Sequence, residues 1–275
     1  MIEPVSVIIP THNRKEYLQK ALHSVLGQDH PLEVIVIDDG SEDGTGEVIE
    51  KNDPRLRYYY QEHRGPAAAR NSGIKRARYE LIAFLDSDDR WAGSKLRLQA
   101  EAMAAAPEYA ISHTGEKWYR RGKHLNQKKK HRKMHGNIFA QSLALCAVGM
   151  STVMARRFLF DEVGYFDETL PCCEDYDLWL RVSCRYSFLL IDLPLTIKEG
   201  GRDDQVSVRY RIGMDTFRIR SLVALLESGS LNDEQQRLAV QELARKCTIY
   251  GDGCLKYGRI EEGQRYLALA RQWQR

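Results

Sequence analysis

The first half of the chain alternates short apolar runs with helical patterns, and this alternation restricts the possible folds more than any other feature. Val5–Ile9, Val34–Ile37 and Leu81–Leu85 are rich in β-branched and large apolar residues, as expected of strands buried on both faces of a parallel sheet. Strands that alternate with helices indicate an α/β fold in which right-handed crossovers join parallel strands. Ligands bind such sheets at the carboxyl ends of the strands.

Helical patterns fill the gaps between these strands and also the end of the chain. Asn13 is predicted to cap the first helix, with Glu16 three residues later as in a capping box. Pro66 suits the first position of a later helix. A short helix is expected around residues 46–51, and further strands are expected over 151–155 and 188–191. From about Met214 the pattern is helical. We therefore expect an α/β domain over residues 1–213 and a C-terminal helical extension over 214–275.

Carboxylates cluster after two predicted strands and at the start of one predicted helix. Asp38-Asp39 can accept hydrogen bonds from ribose hydroxyls or a base N–H, or can form only a solvated turn. Asp86 and Asp88 are spaced so that both can approach one hard cation such as Mg²⁺ or Mn²⁺. Glu174-Asp175 fits a helix start by charge alone, and also fits a general base that deprotonates a hydroxyl.

Charge is nearly balanced overall but uneven along the chain. The net charge of +3, from 41 basic and 38 acidic residues, gives no indication of a nucleic-acid partner. One segment, 117–135, is strongly basic and has a single acid, Glu116, at its edge. Its cations are Lys117, Arg120, Arg121, Lys123, Lys128, Lys129, Lys130, Arg132 and Lys133. The segment is either a solvated loop or a platform for an anionic acceptor or acidic lipid head groups.

Cysteine spacing and hydropathy bear on the cellular compartment. None of the six cysteines forms a C-x-x-C pair, which argues against a zinc site. The longest apolar run, Leu143–Ala155, is too short to span a bilayer, and no signal peptide precedes the first strand. These features predict a cytoplasmic protein, soluble or peripherally bound at the inner face of the membrane.

Five segments in one order carry a resemblance to a known family. The segments are Ser6–Asn13, Ile37–Thr45, Gly65–Gly73, Leu85–Trp91 and Glu174–Arg181. Each is weak alone, but together, across roughly residues 4–211, they resemble bacterial-type glycosyltransferase family 2. The resemblance implies a GT-A fold, with a Rossmann-like, mostly parallel sheet flanked by helices. It also implies inverting transfer from a nucleotide-diphosphate sugar, favouring a uridine nucleotide over thymine and guanine nucleotides, and a divalent cation, Mn²⁺ or Mg²⁺.

The resemblance also implies roles for individual residues. The positions that match nucleotide contacts are Pro10, Thr11, Asn13, Asp39, Arg70 and Asp86. Asp88 matches the metal ligand, with Asp86 in the metal shell, and Asp175 matches the catalytic base, with Glu174 beside it. In the family mechanism a base activates the acceptor while a cation stabilises the departing diphosphate.

The stretch Gly200–Gln205 departs from the family pattern. Many relatives carry Gly-Gly-His-x-Asp-Gln there, and the histidine is a candidate metal ligand, but this chain has Arg202 in its place. A guanidinium cannot ligate a metal, although it can contact a diphosphate bidentately. We therefore expect a weaker metal site, or one completed by water, with Arg202 as a diphosphate contact.

Other functional classes fit the sequence less well. A nucleotidyltransferase would show a glycine-rich phosphate loop with a lysine near the first strand, and a dinucleotide oxidoreductase would show G-x-G-x-x-G there. The remaining alternative is a catalytically weak nucleotide-sugar-binding or scaffold protein that works through its C-terminal helices. The sugar is unspecified by the sequence, and the acceptor is a glycan, a lipid-linked intermediate or a protein. Trp91, Trp118 and Tyr119 are candidates for stacking on a sugar, or are packing residues.

Overall fold

A single mixed sheet with helices on both faces forms the body of the protein. The computed structural model describes residues 3–49, 53–202 and 205–274. The strands are β1 Val5–Thr11, β2 Leu32–Asp39, β3 Leu56–Gln61, β4 Leu81–Phe84, β5 Arg90–Trp91, β6 Ile111–Arg120, β7 Lys123–Leu125, β8 Met154–Arg156 and β9 Phe188–Gly200. The helices are α1 Lys15–Leu26, α2 Pro66–Arg76, α3 Lys95–Ala105, α4 Phe139–Ala144, α5 Phe158–Val163, α6 Glu174–Ser183, α7 Val206–Arg209, α8 Met214–Glu227, α9 Asp233–Lys256 and α10 Ile260–Trp273.

The strand order explains why the acidic clusters meet. The sheet runs β3-β2-β1-β4-β8-β6-β9-β5, and β7 pairs with β6. The pairs β1–β2, β1–β4 and β2–β3 are parallel, so the carboxyl ends of these strands share one edge. The parallel sheet predicted for the first half is therefore confirmed. Beyond β4 the sheet is mixed, because β8 runs antiparallel to both β4 and β6.

Side chains along β1 point alternately to the two faces of the sheet, which explains why its run is almost entirely apolar. Val7 and Ile9 belong to a core with helices α1 and α3, whereas Ile8 belongs to a second core on the other face of the sheet. All three side chains are fully buried. A strand covered on both faces favours apolar residues on each of them, and the one polar residue of the run, Ser6, is buried with its hydroxyl donated to Glu33 (2.7 Å).

Strand β9 is far longer than the sequence pattern predicted. The apolar run predicted a strand only over 188–191, but β9 continues to Gly200 beside β6, with a register shift near Gly115. A side chain at Gly115 would clash with the carbonyl of Leu193, so glycine permits this close pairing. The extension carries Lys198 to the edge where the acidic clusters lie.

Three local predictions were wrong in detail. Asn13 does not cap α1, because its side-chain oxygen accepts a hydrogen bond from the Glu42 N–H instead (2.8 Å). The strand predicted over 151–155 is a 3₁₀ turn, Met150–Thr152, followed by β8. The helix predicted over 46–51 is a 3₁₀ turn, Thr45–Val48, and residues 50–52 lie outside the described part of the chain.

The C-terminal helices pack directly on the α/β body. Leu222 of α8 and Leu243 and Cys247 of α9 share a core with Tyr176 and Leu180 of α6. The helical prediction for this region is confirmed, and α8 begins at Met214. The division into domains at residue 213 stays a prediction, because α6 contributes to the core of both parts.

Two global features concern the compartment prediction. Within the described ranges, no helix combines the length and the apolar character needed to cross a bilayer. The six cysteines form no disulfide.

Candidate active site

A cleft of about 1260 Å³ lies at the carboxyl ends of β1, β2 and β4. The predicted site residues that line it are Pro10, Thr11, Asn13, Asp39, Arg70, Asp86, Asp88, Glu174 and Asp175. Arg202 lies beside the cleft, and its guanidinium reaches the Asp88 carboxylate. The sheet topology therefore brings together residues that are up to 165 positions apart in sequence (175 − 10 = 165).

One end of the cleft is organised by the Asp39 carboxylate. It accepts hydrogen bonds from the Gln61 amide (2.7 Å) and from the backbone N–H groups of Arg64 (3.0 Å) and Gly65 (2.8 Å). These bonds fix the loop that leads into α2. Nearby, the Thr11 hydroxyl is buried and has no hydrogen-bond partner among the described residues. A buried polar atom without a partner is costly, and at a cleft wall it is a candidate contact for a ligand.

Two histidines stack at the same end of the cleft. The rings of His12 and His63 lie 4.2 Å apart, at 27° to each other. The backbone carbonyl of Asp39 lies within hydrogen-bonding distance of both Nδ1 atoms, at 2.7 Å and 3.1 Å respectively. His63 comes from the β3–α2 loop, and the sequence analysis assigned it no role.

Arg70 joins the two acidic halves of the site. Its guanidinium donates to Asp86 Oδ1 (2.8 Å) and to Glu174 Oε1 (2.5 Å). The charge of Arg70, aided by Lys198, outweighs burial and lowers the pKa of Asp86. Burial outweighs the same charge at Glu174 and raises the pKa of that carboxyl. Arg70 is thus a fixed link between the strand-end carboxylates and the start of α6.

The neighbours of Arg70 in helix α2 explain the rest of its motif. Asn71 exchanges two hydrogen bonds with the backbone of Phe166 and so ties α2 to the segment before α6 (3.0 Å and 2.9 Å). A Cβ at Gly73 would clash with Ile8 Cγ2 of β1. Gly73 therefore lets α2 approach the sheet closely enough for Arg70 to reach Asp86.

Cations of the protein surround the cluster Asp86, Asp88 and Asp89. Arg202 pairs with Asp88 Oδ2, and Lys198 Nζ lies 3.8 Å from Asp89 Oδ2. Burial raises the pKa of Asp89 to about 8, against the effect of Lys198. Burial and the Asp86 charge raise the pKa of Asp88, despite Arg202. The acidic neighbours outweigh burial at Lys198 and raise its pKa.

The two predicted metal ligands retain limited capacity for a cation. In the described structure Asp86 and Asp88 each have one carboxylate oxygen that accepts no hydrogen bond from the protein. No group of three or more His, Cys, Asp or Glu side chains that could hold a metal exists within the described ranges. The pair fits a cation such as Mg²⁺, which binds through one or two carboxylates and takes its other ligands from water and phosphate. Arg202 competes for Asp88 at this position.

The Asp175 carboxylate lines the same cleft from the first turn of helix α6. Its Oδ1 accepts from the backbone N–H of Tyr176 (2.7 Å), and its Oδ2 accepts from the Cys146 thiol (3.2 Å). Asp175 is half-buried and faces the cleft, whereas Glu174 is buried against Arg70. The two adjacent acids therefore differ in environment, and Asp175 is the more exposed of the two.

The hairpin β6–β7 forms one rim of the cleft. Trp118, Tyr119, Arg120 and Leu125 line it. Trp91, by contrast, is 4% exposed and donates its Nε1–H to the Ser151 carbonyl (2.7 Å), so it is a packing residue. The structure thus separates the three aromatic candidates.

Comparison with known proteins identifies the family. The family model for Glycosyl transferase family 2 matches residues 6–164, more than half of the chain. This chain belongs to glycosyl transferase family 2. The match confirms the family resemblance and covers four of the five sequence segments, whereas Glu174–Arg181 lies beyond it.

Several relatives of this family 2 chain have been named. An uncharacterized glycosyltransferase of Rickettsia felis is 38% identical over 223 residues, covering 78% of this chain and 34% of the relative. The putative teichuronic acid biosynthesis glycosyltransferase TuaG of Bacillus subtilis is 45% identical over 116 residues, covering 40% of this chain and 46% of TuaG. The chain therefore spans about a third to a half of the length of these relatives.

Solved structures confirm the GT-A fold. Residues 1–349 of S. aureus TarS in complex with UDP-GlcNAc superpose with a TM-score of 0.75 at 23% identity, covering 97% of this chain and 79% of TarS 1–349. The mannosyltransferase PcManGT from Pyrobaculum calidifontis in complex with GDP-Man and Mn²⁺ gives a TM-score of 0.63 at 18% identity, covering 100% of this chain and 83% of PcManGT.

Three residues at the candidate site were not predicted from the sequence. Lys198 lies in a part of β9 that carries no strand pattern, and Cys146 and His63 lie in loops. Their proximity to Asp89, Asp175 and Asp39 arises only from the fold. The sequence offered one related signal, Arg202 at the position where the family pattern has histidine, which predicted a weaker metal site and a diphosphate contact. Asp203 and Asp204 of the same stretch lie outside the described residues.

Proposed function

We propose that this chain transfers a sugar from a nucleotide-diphosphate sugar to a hydroxyl acceptor, with inversion at the anomeric carbon. The observation that carries the proposal is the arrangement of two carboxylate sites in one cleft. Asp86 and Asp88 stand at the strand ends, Asp175 opens helix α6, and Arg70 with Glu174 connects them. Such a cleft can hold a donor diphosphate at one side and an acceptor hydroxyl at the other.

The proposed donor is a uridine-diphosphate sugar. Asp39, Thr11, Pro10 and Asn13 form the end of the cleft assigned to the nucleotide, and the unpartnered Thr11 hydroxyl supplies a hydrogen-bonding group there. TarS binds UDP-GlcNAc on the same fold, which supports a uridine nucleotide. TuaG is named for the synthesis of teichuronic acid, which supports a bacterial surface glycan as the product.

Chemistry in this arrangement is a single displacement. Asp175 accepts the proton of the acceptor hydroxyl, whose oxygen bonds to the anomeric carbon as the bond to the diphosphate breaks. Attack on the face opposite the leaving group inverts the anomeric centre. Glu174 is a positioning residue, because its carboxylate holds Arg70. Lys198 and Arg202 bring positive charge to the side where the leaving diphosphate becomes more negative.

A divalent cation, Mn²⁺ or Mg²⁺, is proposed as a weakly held cofactor. Asp88 and Asp86 would hold it through the oxygens that accept no hydrogen bond from described residues, and it would supply Lewis-acid stabilisation of the diphosphate. Arg202 must leave Asp88, or share it, for the cation to bind. We therefore expect a lower metal affinity than that of relatives with histidine at this position.

The proposal is tested by separating nucleotide binding from transfer. The first measurement is thermal unfolding with UDP, dTDP, GDP, ADP or CDP, each with and without Mn²⁺, because a ligand that binds only the folded state raises its stability. We expect UDP to stabilise the protein more than the other nucleotides do. Asp175→Asn should retain that stabilisation and reduce transfer by about 10²–10⁴-fold. No stabilisation by any nucleotide would refute the donor site, and unchanged transfer in Asp175→Asn would refute the base.

A further inference from the structure

The basic segment seen in the sequence forms an exposed surface beside the cleft. We call residues 117–132, comprising the end of β6, strand β7 and the turn after it, the basic hairpin. Eight cations of this hairpin are exposed: Lys117, Arg120, Arg121, Lys123, Lys128, Lys129, Lys130 and Arg132. The ninth cation of the sequence cluster, Lys133, points inward and pairs with Glu116 (3.2 Å). The structure thus separates one structural lysine from eight solvent-facing charges.

These eight charges lack acidic partners among the described residues. None of them forms an ion pair with a carboxylate anywhere in the described part of the chain. Some surface arginines elsewhere do have such partners, as Arg97 does with Asp29 (2.8 Å) and Arg245 with Glu242 (2.6 Å). A basic surface without acidic partners has a positive potential that attracts anions. When no anion is bound, its cations repel one another.

The basic hairpin is continuous with the proposed catalytic cleft. Trp118, Tyr119 and Arg120 belong to the hairpin and line the same cleft as Asp175. Arg209 of α7 lines the cleft as well. Positive charge therefore extends from the mouth of the cleft outward along the hairpin, and two aromatic rings lie at the junction.

We propose that the basic hairpin binds the acceptor, and that the acceptor is a polyanionic glycan or polyol chain with phosphodiester or carboxylate groups. This inference rests on the proposed function, since it assigns the acceptor of the same cleft. A chain with repeated anionic groups can place one hydroxyl near Asp175 while its neighbouring units pair with the hairpin cations. Trp118 and Tyr119 offer flat apolar faces to the sugar or polyol units that enter the cleft.

The cleft geometry favours a polymer over a membrane surface. A bilayer presents a plane of head groups, which suits cations spread over a flat or convex face. Here the aromatic side chains of the hairpin and Arg120 line the concave cleft, which a chain can enter and the plane of a bilayer cannot. Anionic vesicles are therefore the competing ligand in the test.

The test compares two triple variants with equal loss of charge. The first variant neutralises the turn of the hairpin with the substitutions Lys128→Gln, Lys129→Gln and Lys130→Gln. None of these three lysines lines the cleft. The matched control, Arg237→Gln/Arg265→Gln/Arg271→Gln, removes three exposed charges on α9 and α10. The probes are a phosphodiester-linked polyol polymer, a polyuronate, neutral dextran, and vesicles of phosphatidylglycerol and phosphatidylcholine. Binding is measured by titration calorimetry at 50 and 200 mM salt, and UDP stabilisation is measured for every variant.

We expect the hairpin variant to bind one or both anionic polymers about tenfold more weakly than the parent, with a shallower salt dependence, because released counterions make such binding salt-sensitive. The control variant should stay within about twofold of the parent. The two polymers distinguish phosphodiester from carboxylate recognition. Equal polymer affinity in the parent and the hairpin variant, or loss of vesicle binding alone, would overturn the inference. Absence of UDP stabilisation in the parent would instead overturn the proposed function.

Discussion

Replacing Arg70 should expose how strongly the site depends on one buried cation. The side chains of Arg70 and Glu174 are only 7% and 8% exposed, and Arg70 also holds Asp86. Arg70→Met retains a long side chain but removes the guanidinium charge. Glu174 is then buried without a counter-charge. Breaking a buried ion pair from one side costs about 3–5 kcal/mol. For a chain of this size we expect a loss in Tm of roughly 6–20 °C.

The pH dependence of this loss follows from the same charges. In the parent the pKa of Asp86 is lowered, so its stabilising contribution is present above the unfolded pKa and lost as the pH falls through the folded value. Without Arg70 both carboxyls should have raised pKa values, and their protonation relieves the unpaired charge. The deficit of Arg70→Met should therefore be smaller near pH 5 than near pH 8.

Denaturant unfolding at both pH values measures the effect, with three further variants. Arg76→Met, an exposed arginine of the same helix, is the control and should lose less than about 1 kcal/mol. Adding Glu174→Gln to Arg70→Met should recover stability, because it removes one of the two orphaned charges. Glu174→Gln alone should destabilise the parent. Arg70→Met within about 1 kcal/mol of the parent at pH 8, or a double variant weaker than the single, would refute this account.

Four further predictions test other features. Arg202→His should bind Mn²⁺ at least several-fold more tightly than the parent in a direct titration, since the substitution frees Asp88 and adds a ligand; equal affinities would contradict it. Thr11→Val should leave stability nearly unchanged but weaken UDP binding about fivefold by calorimetry, because the hydroxyl has no partner among the described residues. Gly73→Ala should cost about 1–3 kcal/mol in denaturant unfolding, through overpacking against β1. Burial, together with the charge of a nearby lysine, lowers the pKa of His113 to about 4. The contribution of the neutral imidazole to folding stability is therefore present above pH 6.5 and is lost as the pH falls towards about 4. The parent should lose more stability than His113→Leu between pH 7 and pH 4.5, as measured by denaturant unfolding.

The parallel half of the sheet and the positions of most site residues follow from the sequence alone. Strands buried on both faces are mostly apolar, and Val5–Ile9, with Ser6 as its one polar residue, and Leu81–Leu85 show this. Carboxylates at the ends of parallel strands lie at one edge of the sheet. This rule predicts that Asp39 and Asp86 share a cleft, and both line the same cleft in the structure. Strand ends and one helix start locate these residues, and the family resemblance distinguishes them from ordinary turn and helix-start residues.

The tertiary structure alone decided which charges act on one another. Lys198 reaches the acidic cluster because β9 continues beside β6, a pairing that depends on long-range hydrogen bonds rather than on local pattern. Arg70 was predicted to lie near the nucleotide, which stays a prediction, and the fold places Glu174, 104 residues later, against it. Glu174 and Asp175 are adjacent in sequence and carry the same charge. In the fold, however, Glu174 is buried and pairs with Arg70, whereas Asp175 is half-buried and lines the cleft. Environment of this kind is a property of packing, because only the fold determines which neighbours remove water from a side chain and which supply a counter-charge.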